Sequence, residues 1–338
     1  MITRQQQREL QINKLIIKQK QKQKQSQSSI DTTPSSELQE NSLLEMLEFL
    51  QVGNKQLIEK DDQESSQDPQ IKRIEDYNKS YQNDNLQNLL DDQNVSSQCL
   101  ANHRIREWAR GKMIDWMIEV FASNNDDYSN NDLTFFRAAN LLDAYLRSSY
   151  NLNELDMYLI GVTCILIASK IEDIYQLSIK TIIQDLSHNN FSLFQIKQQE
   201  QIILETLNFD TCFPTVNDYL QYLFLQLFGQ SKNQALQIIQ ETAVYTLKMC
   251  YHDYAIIQYQ QYLLAASVLG FTILNYVELH FEQLPINFKK QLLQTQHTLL
   301  RIGQLELADY VECIQKVEEL TQTFHSKYPE YLNLQRFN

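Results

Sequence analysis

The sequence predicts an all-α fold, and three observations carry that reading. Glycine and proline are scarce, 6 and 5 among 338 residues, so glycine stands near 2% against an ordinary usage of about 7%. A chain so short of turn residues cannot supply the hairpins of a β-sandwich. Apolar residues recur at helical spacing from about residue 100 onward. Two segments carry no charge on any helical face, the mark of helices enclosed by other helices.

The elements follow in order. Residues 1–70 read as a low-complexity tail: Lys18–Lys24 alternates lysine with glutamine, and Ser26–Ser36 is polar. Such segments bury too little apolar area to offset the entropy of ordering. Leu43, Leu44, Leu47, Phe49 and Leu50 are patterned for a short amphipathic helix within it. The basic run suggests a nuclear import signal, but glutamine dilutes its charges and weighs against that reading; Thr33-Pro34 has the form of a minimal proline-directed phosphorylation site and reads more simply as an ordinary loop dipeptide. Residues 71–100 read as a helical extension. Met113, Trp116, Met117, Val120 and Phe121 then fall on one face of a helix spanning about 104–122. Phe135, Ala138, Ala139, Leu142, Tyr145 and Leu146 repeat the pattern. Met157–Ala168 is charge-free and is expected at the centre of a bundle. No proline lies between Pro69 and Pro214, so nothing forces a kink in this set.

Pro214-Thr-Val-Asn-Asp starts a helix at about 215 that ends near Gly229, and a helix initiated by Ser231 follows. Tyr262–Gly270 then echoes Tyr158–Leu166, 104 residues earlier, as a second central helix. Two similar bundles in tandem are therefore expected, over 101–213 and 214–330.

Charge and residue chemistry exclude several functions. The net charge is −13, divided into +6 over residues 1–30, −10 over 31–100 and −9 over 101–338. An acidic body does not suit nucleic-acid phosphates. The five cysteines are widely spaced without a CxxC pair, which predicts free thiols in a reducing compartment, no disulfide framework and no zinc ribbon. The six histidines are scattered, and Glu172-Asp173 are helix neighbours that cannot converge on one substrate. Neither a catalytic constellation nor a metal or cofactor site is expected. The first residues lack an apolar leader. The uncharged stretch Tyr254–Val277 carries Gln258, Gln260, Gln261 and Asn275, and reads as a core helix rather than a membrane span.

Four motifs then point to a family. Ala109-Arg-Gly-Lys-Met-Ile-Asp-Trp-Met-Ile-Glu-Val120 resembles the signature that opens the cyclin box. Leu141-Leu-Asp-Ala-Tyr-Leu146 is similar to the second-helix Asp motif of that family, with Ala144 where family members usually carry Arg. Ala168-Ser-Lys-Ile-Glu-Asp173 resembles the end of its third helix. Phe209-Asp-Thr-Cys-Phe-Pro-Thr-Val-Asn-Asp-Tyr-Leu220 resembles the linker into a second box, in the form typical of mitotic A and B types.

The resemblance implies a non-catalytic subunit that binds and activates a cyclin-dependent kinase in cell-cycle control, acting in the nucleus or the cytoplasm. In that family the third and fifth helices of the first box turn the kinase αC helix so that its Glu pairs with the ATP-binding Lys. By resemblance Lys170 and Glu200 are the charged anchors of the kinase, surrounded by Ile171, Glu172, Leu204 and Phe209. Periodicity adds an independent point. Glu200 falls in line with Leu193, Ile196, Ile203 and Leu207, where a carboxylate is costly without a partner. Arg110 and Asp143 are implied to form an internal salt bridge. The family's groove for Arg-x-Leu peptides maps to Met113, Trp116, Glu119 and Met157, but Ala109 is small and Lys112 is cationic where a basic peptide should lie. Neither an Arg-x-x-Leu destruction box nor a Lys-Glu-Asn degron occurs in residues 1–70. A transcription-type cyclin, or a cyclin-fold factor gripping DNA, are the competing readings, the latter disfavoured by the acidic repeats.

Overall fold

The computed structural model describes residues 96–123, 131–229 and 233–329, the side chains of 122, 123 and 131 apart. The expected tail, its amphipathic stretch and most of the 71–100 extension lie outside the described residues. Within them the chain is helical, with no strand beyond an isolated bridge between Arg104 and Asn153. The helices are α1 (Glu107–Ser123), α2 (Asn131–Ser148), α3 (Met157–Glu172), a single turn α4 (Ile179–Thr181), α5 (Leu193–Thr206), α6 (Val216–Phe228), α7 (Gln234–His252), α8 (Gln261–Leu279), α9 (Ile286–Ile302) and α10 (Leu307–Lys327).

Contacts divide the chain into two units, whose described parts are 96–269 with 315–329, and 270–314. The first unit is built round α3. Ile160–Ser169 is buried without interruption, because the segment offers no polar face to water. It packs on α1, α2 and α5, while α7 packs on α1 and α6. Caps set several starts. Ser192 and Thr215 each form a reciprocal capping box, with Gln195 and Asp218. The helix expected from Ser231 starts instead at Gln234. Asn233 caps it by accepting from the Ala235 amide, closer to the apolar period of Leu236, Ile239 and Ala243. A π-helical turn, Ile182–Leu186, continues α4; its irregular spacing gives no periodic signal in the sequence.

Helix α2 departs from a simple apolar stripe. Thr134, Arg137, Asn140 and Asp143 are all buried. Each third residue lags by about 60° on a helix, so this polar series winds round α2 and meets a different neighbour at each step. The Thr134 hydroxyl donates to Asp173 Oδ1 at 2.5 Å. Arg137 reaches Glu172 and the Phe213 carbonyl. Asn140 accepts from the Tyr251 hydroxyl at 2.8 Å and donates to the Pro214 carbonyl at 3.5 Å. Asp143 accepts two bonds from Arg110. Buried polar groups need such partners, and here each partner also fixes the place of another element.

His103 acts as a structural bridge. Its Nδ1 accepts from the Leu152 amide at 3.2 Å, so Nε2 carries the proton and donates to the Leu146 carbonyl at 2.5 Å.

In the second unit, Tyr310 donates from its hydroxyl to Gln296 Oε1 at 2.6 Å, and Gln296 Nε2 donates to the Gly270 carbonyl at 3.1 Å. Gly270 has no room for a side chain. A Cβ there would fall on the buried Tyr310 hydroxyl and lie 2.9 Å from Gln296 Oε1. At Gly161 the obstruction is the flexible end of Met113. Gly270→Ala is therefore expected to cost about 1–3 kcal/mol through overpacking, and Gly161→Ala clearly less, both read by thermal unfolding. Equal losses at the two positions would contradict this account. Helix α8 is long and apolar enough to cross a membrane by length and composition, yet 72% of that window is buried inside the protein. It is a core helix.

Candidate partner-binding site

The end of α3 is held from several sides. Ser169, fully buried, accepts the Leu177 amide on its hydroxyl at 2.7 Å, which draws the loop after α3 back over the helix end. The Asp173 amide caps the Ser169 carbonyl at 3.1 Å. Behind this turn, Arg137 Nε donates to Glu172 Oε1 at 2.6 Å. In front of it, Ile174 and Tyr175 stand out at 75% and 70% exposure.

Helix α5 lies alongside. Its buried contacts come from Ile196 and Ile203. Glu200, on the same stripe, takes the Lys170 ammonium at 2.5 Å. The two side chains are 17% and 36% exposed. A pair so wetted contributes at most about 1 kcal/mol to the folded chain. It is arranged and accessible, but it is not a structural anchor.

Beyond α5 the chain makes a costly turn. Asn208 and Phe209 both have positive φ, 51° and 60°. Asparagine tolerates that region; phenylalanine does so only at a cost of roughly 1–2 kcal/mol. The Phe209 amide closes the turn on the Leu204 carbonyl at 2.8 Å, and its ring stands 68% exposed. Of fifteen exposed large apolar side chains among the described residues, seven lie between 171 and 209. They are Ile171, Ile174, Tyr175, Leu193, Phe194, Ile202 and Phe209. That concentration singles out the α3 end, α5 and the following turn as the place where exposed large apolar side chains cluster among the described residues.

The structure thus brings Lys170 and Glu200 together. It leaves Ile171 and Phe209 exposed and Leu204 half-buried, and it turns Glu172 inward to Arg137. Arg110 and Asp143 form a bidentate, fully buried pair at 2.7 and 2.8 Å, and Arg110 Nη1 adds a bond to the Tyr251 carbonyl at 2.7 Å. Burial holds the neighbouring Cys99 thiol, and Cys164 on α3, far above the usual range, so neither is a reactive thiolate.

The residues expected in a peptide groove are more withdrawn. Met113 and Met157 are buried. Trp116 is half-buried, edge-on to Tyr158 at 5.3 Å, and Glu119 is half-buried. Lys112 is exposed, its ammonium 5.5 Å from the Trp108 ring centre, and Arg106 approaches the same ring at 5.4 Å. Sequence reasoning passed over Trp108 and Arg137. The latter had a signal, as a lone cation within the apolar run Phe135–Leu142. Among the described residues no cluster of three or more His, Cys, Asp or Glu is placed to hold a metal ion.

Comparison with known proteins places these helices. Residues 77–212 match the family "Cyclin, N-terminal domain". The chain is 30% identical over 169 residues to "Putative cyclin-B3-1" of Arabidopsis thaliana, a match covering 50% of this chain and 40% of that protein. It is 27% identical over 167 residues to "Cyclin-B2-4" of the same plant, covering 49% and 36%. Against "Cyclin-A2" of Homo sapiens it is 30% identical over 116 residues, covering 34% and 26%. The matched stretches span less than half the length of these relatives. With α1, α2, α3 and α5 lying inside the matched residues, this part of the chain matches a cyclin N-terminal domain, and the chain resembles the mitotic A and B types.

Proposed function

We propose that the chain is a non-catalytic regulatory subunit that binds and activates a cyclin-dependent serine/threonine kinase, in mitotic control within the nucleus or cytoplasm. The observation that carries the reading is the exposed apolar group at the α3 end, α5 and the 208–209 turn, centred on the accessible Lys170–Glu200 pair. A kinase helix laid there would cover Ile171, Leu204 and Phe209 and compete for the two charges. Glu172 acts from behind, through Arg137. The mechanism is population shift: a face complementary to the active placement of the kinase αC helix binds that state better and so enriches it. Cyclin boxes over 101–213 and 214–330, the first of them supplying this face, belong to the same proposal.

Two experiments bear on it. Tagged chain should co-purify a kinase catalytic subunit, and Lys170→Asp should lose it while remaining folded. Retention of the kinase by that variant would count against the face. For substrates, Ala109, Lys112 and the burial of Met113 and Met157 predict poor docking of Arg-x-Leu peptides. Losing one large apolar contact removes roughly 1.5–3 kcal/mol, about ten- to hundredfold in affinity. Micromolar binding of such a peptide at α1 would overturn that expectation.

A further inference from the structure

Resting on the kinase-binding reading, we infer that Arg137 is a positioning residue: it locks the two halves of the proposed face, the end of α3 and the segment after α5, into one arrangement. The residue is nearly buried, at 8% exposure. One edge of its guanidinium holds Glu172, next to Ile171 and Lys170, at 2.6 Å. Another reaches the carbonyl of Phe213, and Asp218 of α6 lies 3.8 Å away. A single planar cation therefore ties the α3 end to the segment four residues beyond Phe209. Arginine suits this work because its fixed fork serves two acceptors at once; lysine presents one point charge.

The far end of that segment runs into the Thr215–Asp218 capping box that starts α6. Phe213 precedes Pro214, which favours extended backbone and keeps the Phe213 carbonyl out of any helical ladder. Asn140, one turn along α2, adds only a long bond to the Pro214 carbonyl. The near end is the turn with two consecutive left-handed residues. Strained backbone of this kind persists only when its surroundings over-determine it. The turn's own amides bond back to the Glu205, Leu204 and Leu207 carbonyls, and Arg137 adds a further constraint at the Phe213 end, from a helix which itself carries none of the exposed apolar face. Without it, the turn relaxes and Phe209 samples positions that do not match the α3 end. Binding falls by the fraction of time the face is assembled.

The test uses the full chain with a single 4-fluorophenylalanine at position 209. Arg137→Gln is expected to shift or broaden the fluorine resonance of the folded chain. It should also weaken kinase binding about tenfold, as when the competent state drops to roughly one in ten. Arg137→Lys, which retains a charge for Glu172 but cannot fork to the Phe213 carbonyl, should fall between, and it decides the matter if Arg137→Gln does not fold. Leu292→Ala is the control, since it destabilises the chain at a buried site on α9; it should leave both readouts unchanged. An unshifted resonance, or binding within twofold of wild type, overturns the inference. If the unsubstituted chain binds no cyclin-dependent kinase, the functional reading fails, and the fluorine resonance still decides whether Arg137 holds the turn.

Discussion

Asp143→Ala lowers the stability of the chain by about 3–5 kcal/mol, the largest single loss expected of any polar residue described. The size follows from what stays behind. Arg110 would keep its charge in a site with no exposure, having lost both carboxylate bonds and retaining only the Tyr251 carbonyl. Removing Arg110 instead strands the carboxylate of Asp143 and leaves the Tyr251 carbonyl without that donor, so the cost is similar. The double replacement Arg110→Met with Asp143→Leu should recover most of the loss, because buried pairs replaced by packed apolar groups are often neutral. Recovery should be incomplete by about 1–3 kcal/mol, the cost of leaving a buried carbonyl unbonded. Denaturant unfolding of the four chains gives the cycle. Near-additive losses would show that the pair does not act as a unit.

Charge reversal at Lys170 or Glu200 has a different signature. In the free chain each reversal sets like charges together at a half-exposed position, and stability changes by no more than about 1 kcal/mol. In a complex the same charges face a partner's fixed groups, where truncating or inverting one costs roughly 2–5 kcal/mol of binding. Lys170→Glu and Glu200→Lys should each weaken kinase binding about thirtyfold or more. The swap carrying both substitutions is the informative variant. It re-forms an internal ion pair, so the free chain should regain its melting temperature. It leaves both charges inverted toward the kinase, so binding should stay impaired. Full recovery of binding in the swap would show that the pair matters only within the chain. The measurement is a titration of labelled chain with kinase at two ionic strengths; salt should further weaken binding of the unsubstituted chain.

What the sequence disclosed and what it withheld divide along physical lines. Helix α3 was legible because a sixteen-residue segment with charge only in its last turn has one stable home, the middle of a bundle. Glu200 was legible as an anomaly, a carboxylate on an apolar stripe, and the structure supplies Lys170 as its partner. Arg110 and Asp143 were reached by resemblance alone, since residues 33 apart carry no periodic link. Arg137 was missed because its acceptors include a backbone carbonyl 76 residues away, and backbone acceptors leave no trace in side-chain patterns. The positive φ of Phe209 was invisible for a related reason: the usual sign of a left-handed residue is glycine or asparagine, and only Asn208 gives that hint. Met113 and Met157 show the limit of position-by-position transfer. Their places on α1 and α3 follow the expected motifs, yet packing withdraws both from the surface.

The most direct measurement is phosphate transfer by a purified, monomeric cyclin-dependent kinase as this chain is titrated in. If about 1% of the free kinase holds the active arrangement, saturation should raise the rate up to about hundredfold, with the titration breaking at one chain per kinase. Lys170→Asp and Glu200→Lys should shift that titration to higher concentration. A kinase rate that stays flat while the complex demonstrably forms, or the absence of any complex at saturating chain, would contradict the account.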